Sequence, residues 1–281
     1  MISGGRCLRF KPRSISITSG KGGTGKTTVT ANLGVALGAL GKDTTILDGD
    51  LAMANLAIVL GMHKCELSLL DVLTGEADIK DVIYRNYGIK VVPMGFRFED
   101  AHEVLSKVKR ERVEEVVKEL LKQTEFLLID GAAGIQDATI ISIAAAREMI
   151  PVCNPTYTSL VDAYEIVRLA NVLGSWTRGV VVNRSGKAAD LSTSEVEAFM
   201  SRALGTMPIL SEIPEDPKVQ EAEREGVPVV VYEPDCEASL AIGNLAKLVA
   251  GEANLPYAPY EERAVAETTA RLIRALTGRN I

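Results

Sequence analysis

The chain has 281 residues, of which 47% are hydrophobic and 24% are charged, and its formal net charge is -6. This composition is ordinary for a folded protein and excludes a disordered or collagen-like chain. The negative charge argues against a body wrapped in nucleic acid, because phosphate binding needs clustered lysine and arginine, although a local basic patch would be compatible with it. No stretch reaches the roughly 18 apolar residues of a membrane span, so we expect a cytoplasmic protein.

The first 250 residues alternate between short runs rich in isoleucine and valine and longer segments of helical period. This alternation is typical of a mostly parallel sheet with helices on both faces, so we predict a doubly wound α/β fold. A long helix is predicted after the first strand, ending at Gly41, and another over residues 103–122. The predicted strands are 14–18, 44–48, 90–93, 126–130, 149–153, 179–183 and 207–213.

The pattern breaks after residue 250, where Pro256 and Pro259 make a continuing helix unfavourable. We therefore predict one domain over residues 1–250, followed by a linker and a C-terminal helical tail over residues 251–281. The end of the tail mixes aliphatic residues with Arg271 and Arg274. A helix that docks on the body and a short amphipathic helix that binds an anionic membrane surface both fit this stretch.

The most specific motif begins at Gly20 and reads G-K-G-G-T-G-K-T, which fits the phosphate-binding pattern G-x-x-x-x-G-K-[ST]. It lies between a predicted strand and a predicted helix, where backbone N–H groups and the helix dipole favour phosphate. Lys26 is predicted to reach the β and γ phosphates, and the hydroxyl of Thr27 to ligate Mg²⁺. The predicted nucleotide-binding residues of this loop are Gly20, Lys21, Gly22, Gly23, Thr24, Gly25, Lys26, Thr27 and Thr28.

A second lysine, Lys21, stands directly after the first glycine of the loop. The run K-G-G-T-G-K-T-T resembles the deviant Walker A motif K-G-G-x-G-K-[ST] of the MinD/ParA/nitrogenase iron protein class. In that family the extra lysine crosses a dimer interface to the partner subunit's nucleotide. The resemblance therefore implies a homodimer formed with ATP and a catalytic role for Lys21, whereas a plain surface lysine is the alternative.

Carboxylates follow two of the predicted strands, as phosphoryl transfer to water requires. Asp130 ends one strand in the Walker B manner and is predicted to hold Mg²⁺ through water. The segment D-G-A-A-G that it opens is similar to the family's D-x-P-A-G switch, in which the N–H of Gly134 would sense the γ phosphate. Ala132 replaces the usual proline, so we expect a less rigid switch.

The other strand ends in Asp48, with Asp50 two residues later and Asn55 beyond. This arrangement resembles the D-x-D…N-L switch of MinD-like proteins. The resemblance implies that Asp50 orients the attacking water, with Lys21 and Lys26 as the other catalytic residues, and that Asp48 and Asn55 belong to the switch. The alternative is that the two aspartates cap the next helix.

Asn183 ends a later strand and matches the family's asparagine that hydrogen-bonds adenine. A guanine site of the N-K-x-D type would need an aspartate that the following residues lack, so ATP is favoured. Pro214 lies in I-P-E-D, which resembles the family's turn near the base; a proline turn followed by a helix-capping residue explains this segment equally well.

The resemblance covers residues 14–251 and is nearest to archaeal-type MinD-like proteins. It implies a P-loop ATPase domain over residues 1–250, with ATP and Mg²⁺ as cofactors. It also implies slow hydrolysis that times a positioning switch in cell division or cellular organisation, an activating protein partner, and peripheral attachment to the inner face of the membrane through the tail.

Two other functions stay open at this point. A ParA-like partition ATPase would bind DNA, which the acidic balance disfavours, and a nucleotide-binding adaptor would hydrolyse little ATP. The cysteines form no C-x-x-C pair, which argues against the iron–sulfur members of the class.

Overall fold

In the computed structural model, residues 12–50, 54–95, 110–186, 189–205 and 207–251 are described. Within these ranges the strands form one nine-stranded sheet in the order β3-β4-β2-β5-β1-β6-β8-β9, with β7 paired to β6. Only the β3–β4 pair is antiparallel among the pairs described. The strands are β1 (Arg13–Ser19), β2 (Thr44–Asp48), β3 (Tyr84–Asn86), β4 (Ile89–Val92), β5 (Phe126–Ala133), β6 (Glu148–Cys153), β7 (Trp176–Thr177), β8 (Val180–Ser185) and β9 (Ile209–Pro214).

Helices cover both faces of this sheet. The described helices are α1 (Lys26–Ala39), α2 (Leu56–Val59), α3 (Leu69–Thr74), α4 (Arg110–Leu121), α5 (Asp137–Ala145), α6 (Tyr157–Leu173), α7 (Thr193–Leu204), α8 (Pro217–Glu225), α9 (Val229–Tyr232) and α10 (Glu237–Ala250), with a 3₁₀ turn at Ile79–Val82. Successive residues of β5 alternate between the two faces: Phe126 and Leu128 join the core beneath α1 and α10, and Leu127 and Ile129 join the core beneath α3 to α5. The predicted doubly wound, mostly parallel fold is confirmed.

The seven predicted strands are all present, with ends that shift by up to three residues. β3 and β7 were not predicted because neither carries a buried apolar run: β3 is a partly exposed three-residue edge strand and β7 has only two residues. The helix predicted over 103–122 begins at Arg110 in the described residues, and 103–109 lie outside them. The tail prediction also lies outside the described residues from position 252 onward.

The end of α1 follows the predicted glycine stop. Gly41 adopts a left-handed φ of 76°. The N–H of Gly41 bonds to the carbonyl of Gly38 at 2.9 Å, and the N–H of Lys42 bonds to that of Leu37 at 3.1 Å. This pair of bonds is the Schellman arrangement, which ends the helix and turns the chain into β2.

A buried ion cluster fastens the amino-terminal edge of the sheet. Glu148 accepts hydrogen bonds from Nε of Arg13 at 2.8 Å and from Nη1 of Arg178 at 2.6 Å. Arg13 also donates from Nη1 to the carbonyl of Val249 at 2.6 Å, which ties the end of α10 to the start of β1. Burial raises the pKa of Glu148, and the Arg13 guanidinium opposes this. Arg178 lies 5.7 Å from the ring centre of Trp176.

None of the helices in the described part of the chain has the length and apolar character needed to cross a bilayer.

Candidate active site

The phosphate-binding loop connects β1 to α1 at the carboxyl edge of the sheet. Gly23 and Gly25 have φ values of 78° and 86°, the left-handed region that favours glycine. Gly25 is the cap of α1 and has no side chain that could bond to the first N–H groups of this helix. The first N–H groups of a helix have no partner within the helix and therefore favour an anion at this end.

Two neighbours hold the loop so tightly that only glycine fits. A Cβ on Gly20 would lie 2.3 Å from Cβ of Asp162 in α6, and a Cβ on Gly25 would lie 2.2 Å from Nδ2 of Asn183 at the end of β8. The same Nδ2 donates to the carbonyl of Thr24 at 2.7 Å. Both the loop and Asn183 are thus fixed by contacts outside the motif itself.

Lys26 lies at the centre of a buried group of carboxylates. Its Nζ is 3.3 Å from Oδ1 of Asp130 and 3.8 Å from Oδ2 of Asp50. Asp48 and Asp130 are direct partners in the β2–β5 register, which places them side by side. Asp48 accepts from the backbone N–H of Asp50 at 3.1 Å. The structure therefore brings together the predicted lysine and all three predicted aspartates.

The charges of this group are incompletely balanced. Burial, and then the neighbouring Asp130 carboxylate, raise the pKa of Asp48 well above its ordinary value. Burial also raises the pKa of Asp130, against the opposing effects of Lys26 and of hydrogen bonds that include Thr30 Oγ1 at 3.1 Å. Buried carboxylates resist ionisation when too few cations accompany them. A further cation would stabilise the ionised forms.

Magnesium fits this arrangement. Oδ2 of Asp48 is buried and has no hydrogen-bond partner among the described residues. The Thr27 hydroxyl lies 3.3 Å from Nζ of Lys26, beside the carboxylates. In the described part of the chain no group of three or more His, Cys, Asp or Glu residues is spaced to hold a metal by itself. Mg²⁺ is usually held by one or two carboxylates together with waters and substrate phosphates, and the carboxylates of this group can supply the protein ligands.

Two residues of the predicted switch, Ala132 and Gly134, lie at the end of β5 and directly after it. Gly134 has a φ of 77°, and its N–H bonds to the carbonyl of Ser19 at 2.9 Å. Ala132 is buried within β5, where its carbonyl accepts from Oγ1 of Thr18 at 3.1 Å. An alanine can occupy this position in the strand, whereas a proline could not donate to a neighbouring strand. The segment therefore continues the sheet through residue 133.

Asn55 is exposed and forms the cap of α2, without a side-chain hydrogen bond to any described residue. Since α2 begins after Asn55, Asp48 and Asp50 do not cap it, and the capping alternative for these two aspartates is wrong.

Lys21 extends from the loop to the first turn of α6 on its own chain. Its Nζ donates to Oγ1 of Thr158 at 3.1 Å in an exposed position. The carbonyl of Lys21 accepts from the hydroxyl of Ser19 at 2.9 Å. Lys21 therefore lies beside the site on the surface, and Lys26 lies inside it.

A pocket opens next to the phosphate-binding loop, between α1, the ends of β8 and β9, and α8. It brings Asn183 and Pro214 together as predicted. Asp216 also caps α8, accepting from the N–H of Lys218 at 2.9 Å, so the structural explanation of the I-P-E-D segment holds as well. Sequence reasoning missed part of the lining, namely Arg184, Gln220 and Glu223. Nothing distinguishes Glu223 from the other exposed charges of α8 in the sequence alone.

Comparisons with known proteins agree with this geometry. The family model described as ParA, NUBPL iron-transfer P-loop NTPase, matches residues 12–250. An ATP-binding protein of Methanocaldococcus jannaschii is 40% identical over 240 residues, which cover 85% of this chain and 88% of the relative.

Solved structures give the same result. The cell division ATPase MinD of Pyrococcus furiosus superposes with a TM-score of 0.78 at 38% identity, over 86% of this chain and 99% of that one. The septum site-determining protein MinD of Pyrococcus horikoshii, complexed with Mg-ADP, gives 0.78 at 37% identity over 85% and 96%. The MinC:MinD complex of Aquifex aeolicus gives 0.75 at 29% over 89% and 100%. The chain therefore belongs to the ParA family of P-loop NTPases, and it is a MinD-like ATPase whose cofactors are ATP and Mg²⁺.

Proposed function

We propose that this ATPase is a positioning switch in cell division or cellular organisation, in which ATP and Mg²⁺ join two copies of the chain. The observation that carries the proposal is the position of the two loop lysines. Lys26 is buried among the carboxylates, whereas Nζ of Lys21 lies on the surface against Thr158. A surface lysine beside the phosphate site is placed to serve a nucleotide held by a second copy.

Within one copy, the loop N–H groups and Lys26 hold the β and γ phosphates. Thr27, Asp130 and Asp48 would hold Mg²⁺, which would neutralise phosphate charge. Asp50 orients the attacking water, supported by its position 3.8 Å from Nζ of Lys26. Gly134 senses the γ phosphate by leaving its bond to the Ser19 carbonyl, and Asn55 moves toward the site in the active state.

Asn183 and Pro214 hold adenine. The bond from Nδ2 of Asn183 to the carbonyl of Thr24 leaves Oδ1 of the amide as an acceptor. Adenine presents a donor amino group at its sixth position, whereas guanine presents an acceptor oxygen there. The orientation of Asn183 thus supports ATP as the preferred nucleotide.

The face that meets the second copy surrounds Lys21. Large apolar side chains are exposed there: Ile135 directly follows Gly134, Tyr157 adjoins Thr158, and Val161 lies one turn further along α6, with exposures of 58%, 64% and 48%. Apolar exposure next to a nucleotide site is the composition expected of a face that is covered in one nucleotide state. Because Lys21 is absent from the site until that face is covered, turnover by a single copy is slow.

An activating protein partner and the membrane complete the switch. A MinD relative forms a complex with MinC, which supports a cell division partner of that kind here. The tail over residues 251–281, joined to the ATPase domain of residues 1–250, attaches the otherwise cytoplasmic dimer to the inner face of the membrane. Its affinity becomes useful when two tails act together.

Light scattering of the purified protein with ADP, and with ATP plus Mg²⁺, tests this function. An Asp50→Ala variant blocks hydrolysis, so the ATP-bound state persists during the measurement. We expect a dimer with ATP only, and a monomer when Lys21→Ala is added. Lys64→Ala, which removes another exposed lysine, is the matched control and should still dimerise. A monomer in every nucleotide state would refute the switch.

A further inference from the structure

Glu223 lies on the pocket side of α8, opposite the end of β8. Its Oε1 accepts a hydrogen bond from the hydroxyl of Thr28, in the first turn of α1. Both residues line the pocket that also contains Asn183 and Pro214. A carboxylate therefore stands between the phosphate loop and the proposed base site.

The other carboxylates of this pocket have other partners. Glu215 lies 3.7 Å from Nε of Arg184, and Asp216 caps α8 through the N–H of Lys218. Among the described residues no lysine or arginine forms an ion pair with Glu223. Most of the acceptor capacity of Glu223 is consequently available to a ligand.

The chemistry of a nucleotide indicates which of its parts can bind the Glu223 carboxylate. An ionised carboxylate only accepts hydrogen bonds, so it repels phosphate oxygens and cannot satisfy the acceptor nitrogens of a base. The ribose lies between these two parts of a nucleotide and offers two hydroxyl donors. Acidic side chains bind ribose hydroxyls in the same way in dinucleotide-binding folds.

We propose that Glu223 accepts hydrogen bonds from the ribose hydroxyls and makes this site selective for ribonucleotides over deoxynucleotides. The proposal rests on the proposed function, in which the pocket lined by Asn183 and Pro214 holds the nucleoside. Thr28 holds the carboxylate against the pocket wall in the free protein, and the ribose hydroxyls replace it as donors when a nucleotide binds.

Calorimetric titration with Mg-ADP, Mg-2′-deoxy-ADP and Mg-3′-deoxy-ADP tests this assignment. The wild type should bind ADP at least about tenfold more tightly than at least one deoxy form, the effect of one hydrogen bond to a charged group. Glu223→Ala should lose that preference by weakening ADP alone. Glu225→Gln changes an exposed carboxylate on the same helix outside the pocket, so it should keep the preference.

Two results would overturn the assignment. Equal binding of all three nucleotides by the wild type would exclude any ribose contact of this strength. Tighter binding of all three by Glu223→Ala, with the preference unchanged, would show that Glu223 only repels the nucleotide. Neither result bears on dimerisation, because ADP binding is measured without the ATP state on which the switch depends.

Discussion

The side-chain amide of Asn183 donates to the carbonyl of Thr24 at 2.7 Å, so the end of β8 is fastened directly to the phosphate loop. One residue thereby fixes the distance between the proposed base site and the phosphate site. The position is 159 residues away from Thr24 along the chain. Its effect on the loop is consequently a property of the fold rather than of the motif.

Replacing Asn183 with alanine should weaken ATP binding and reduce discrimination against GTP. The variant loses both the acceptor for the adenine amino group and the bond that supports the loop, so we expect about a tenfold loss of ATP affinity. Competition between ATP and GTP for a fluorescent nucleotide measures both quantities. Unchanged preference for ATP would contradict the proposed base contact.

Alanine at Gly25 should disrupt the loop, whereas alanine at Gly22 should leave the free protein intact. Gly25 combines a φ of 86° with a Cβ position 2.2 Å from Asn183, but a Cβ on Gly22 would meet nothing within 4 Å. Strain of this kind costs on the order of 1–3 kcal/mol. Thermal unfolding of both nucleotide-free variants makes the comparison, and equal melting temperatures would be inconsistent with it.

Asp48→Asn should stabilise the nucleotide-free protein at neutral pH. The unfolded chain ionises Asp48 near its ordinary pKa of 3.8, but burial keeps the folded-state pKa well above that value. The free energy of unfolding of the wild type therefore falls as the pH rises from 3.8 through the raised pKa, and the asparagine variant avoids this loss.

Melting temperatures of the two proteins between about pH 5 and about pH 8 measure this difference. We expect the variant to have the higher melting temperature at neutral pH, by about 2–4 °C for each kcal/mol added to the free energy of unfolding in a chain of this size. This difference in melting temperature should become smaller toward about pH 5. It should also disappear with Mg-ATP, because the metal stabilises the ionised carboxylate only in the wild type. A constant difference at all pH values would point to packing as its cause.

Thr158→Val should favour the ATP-dependent dimer. Lys21 must leave Oγ1 of Thr158 before it can reach a second copy, and valine removes this competing acceptor without a large change of volume. An exposed hydrogen bond contributes up to about 1 kcal/mol, and the dimer contains two copies of this bond, so the dimer dissociation constant should fall by up to about thirtyfold. Sedimentation of the hydrolysis-deficient protein over a concentration series gives this constant. A weaker dimer would mean that Thr158 itself stabilises the interface.

Local sequence patterns were sufficient for seven of the eight described strands that form parallel pairs, and for the phosphate loop. A buried parallel strand must be apolar along its whole length, and a loop that surrounds phosphate must be rich in glycine, so both leave clear signals. The sequence of β3 carries no such signal, because an edge strand with a solvated face needs no apolar run.

Contacts between distant segments could not be predicted in the same way. The sequence placed Asp48 and Asp130 at strand ends, but only the β2–β5 register puts them next to one another. Likewise Glu223 reaches Thr28 because the fold brings α8 to the first turn of α1, which no local pattern of charges on α8 encodes.

The ion cluster at the amino-terminal edge gives the molecule an internal optical reporter. Trp176 is the single tryptophan of the chain and lies beside Arg178, whereas the nucleotide site follows β1 at its other end, roughly 20 Å away for a strand of seven residues. Its emission should therefore be insensitive to nucleotide but should change when Glu148 and its two arginines separate. Intrinsic fluorescence can thus follow global unfolding without a label, while nucleotide occupancy has to be read with a dye on the ligand.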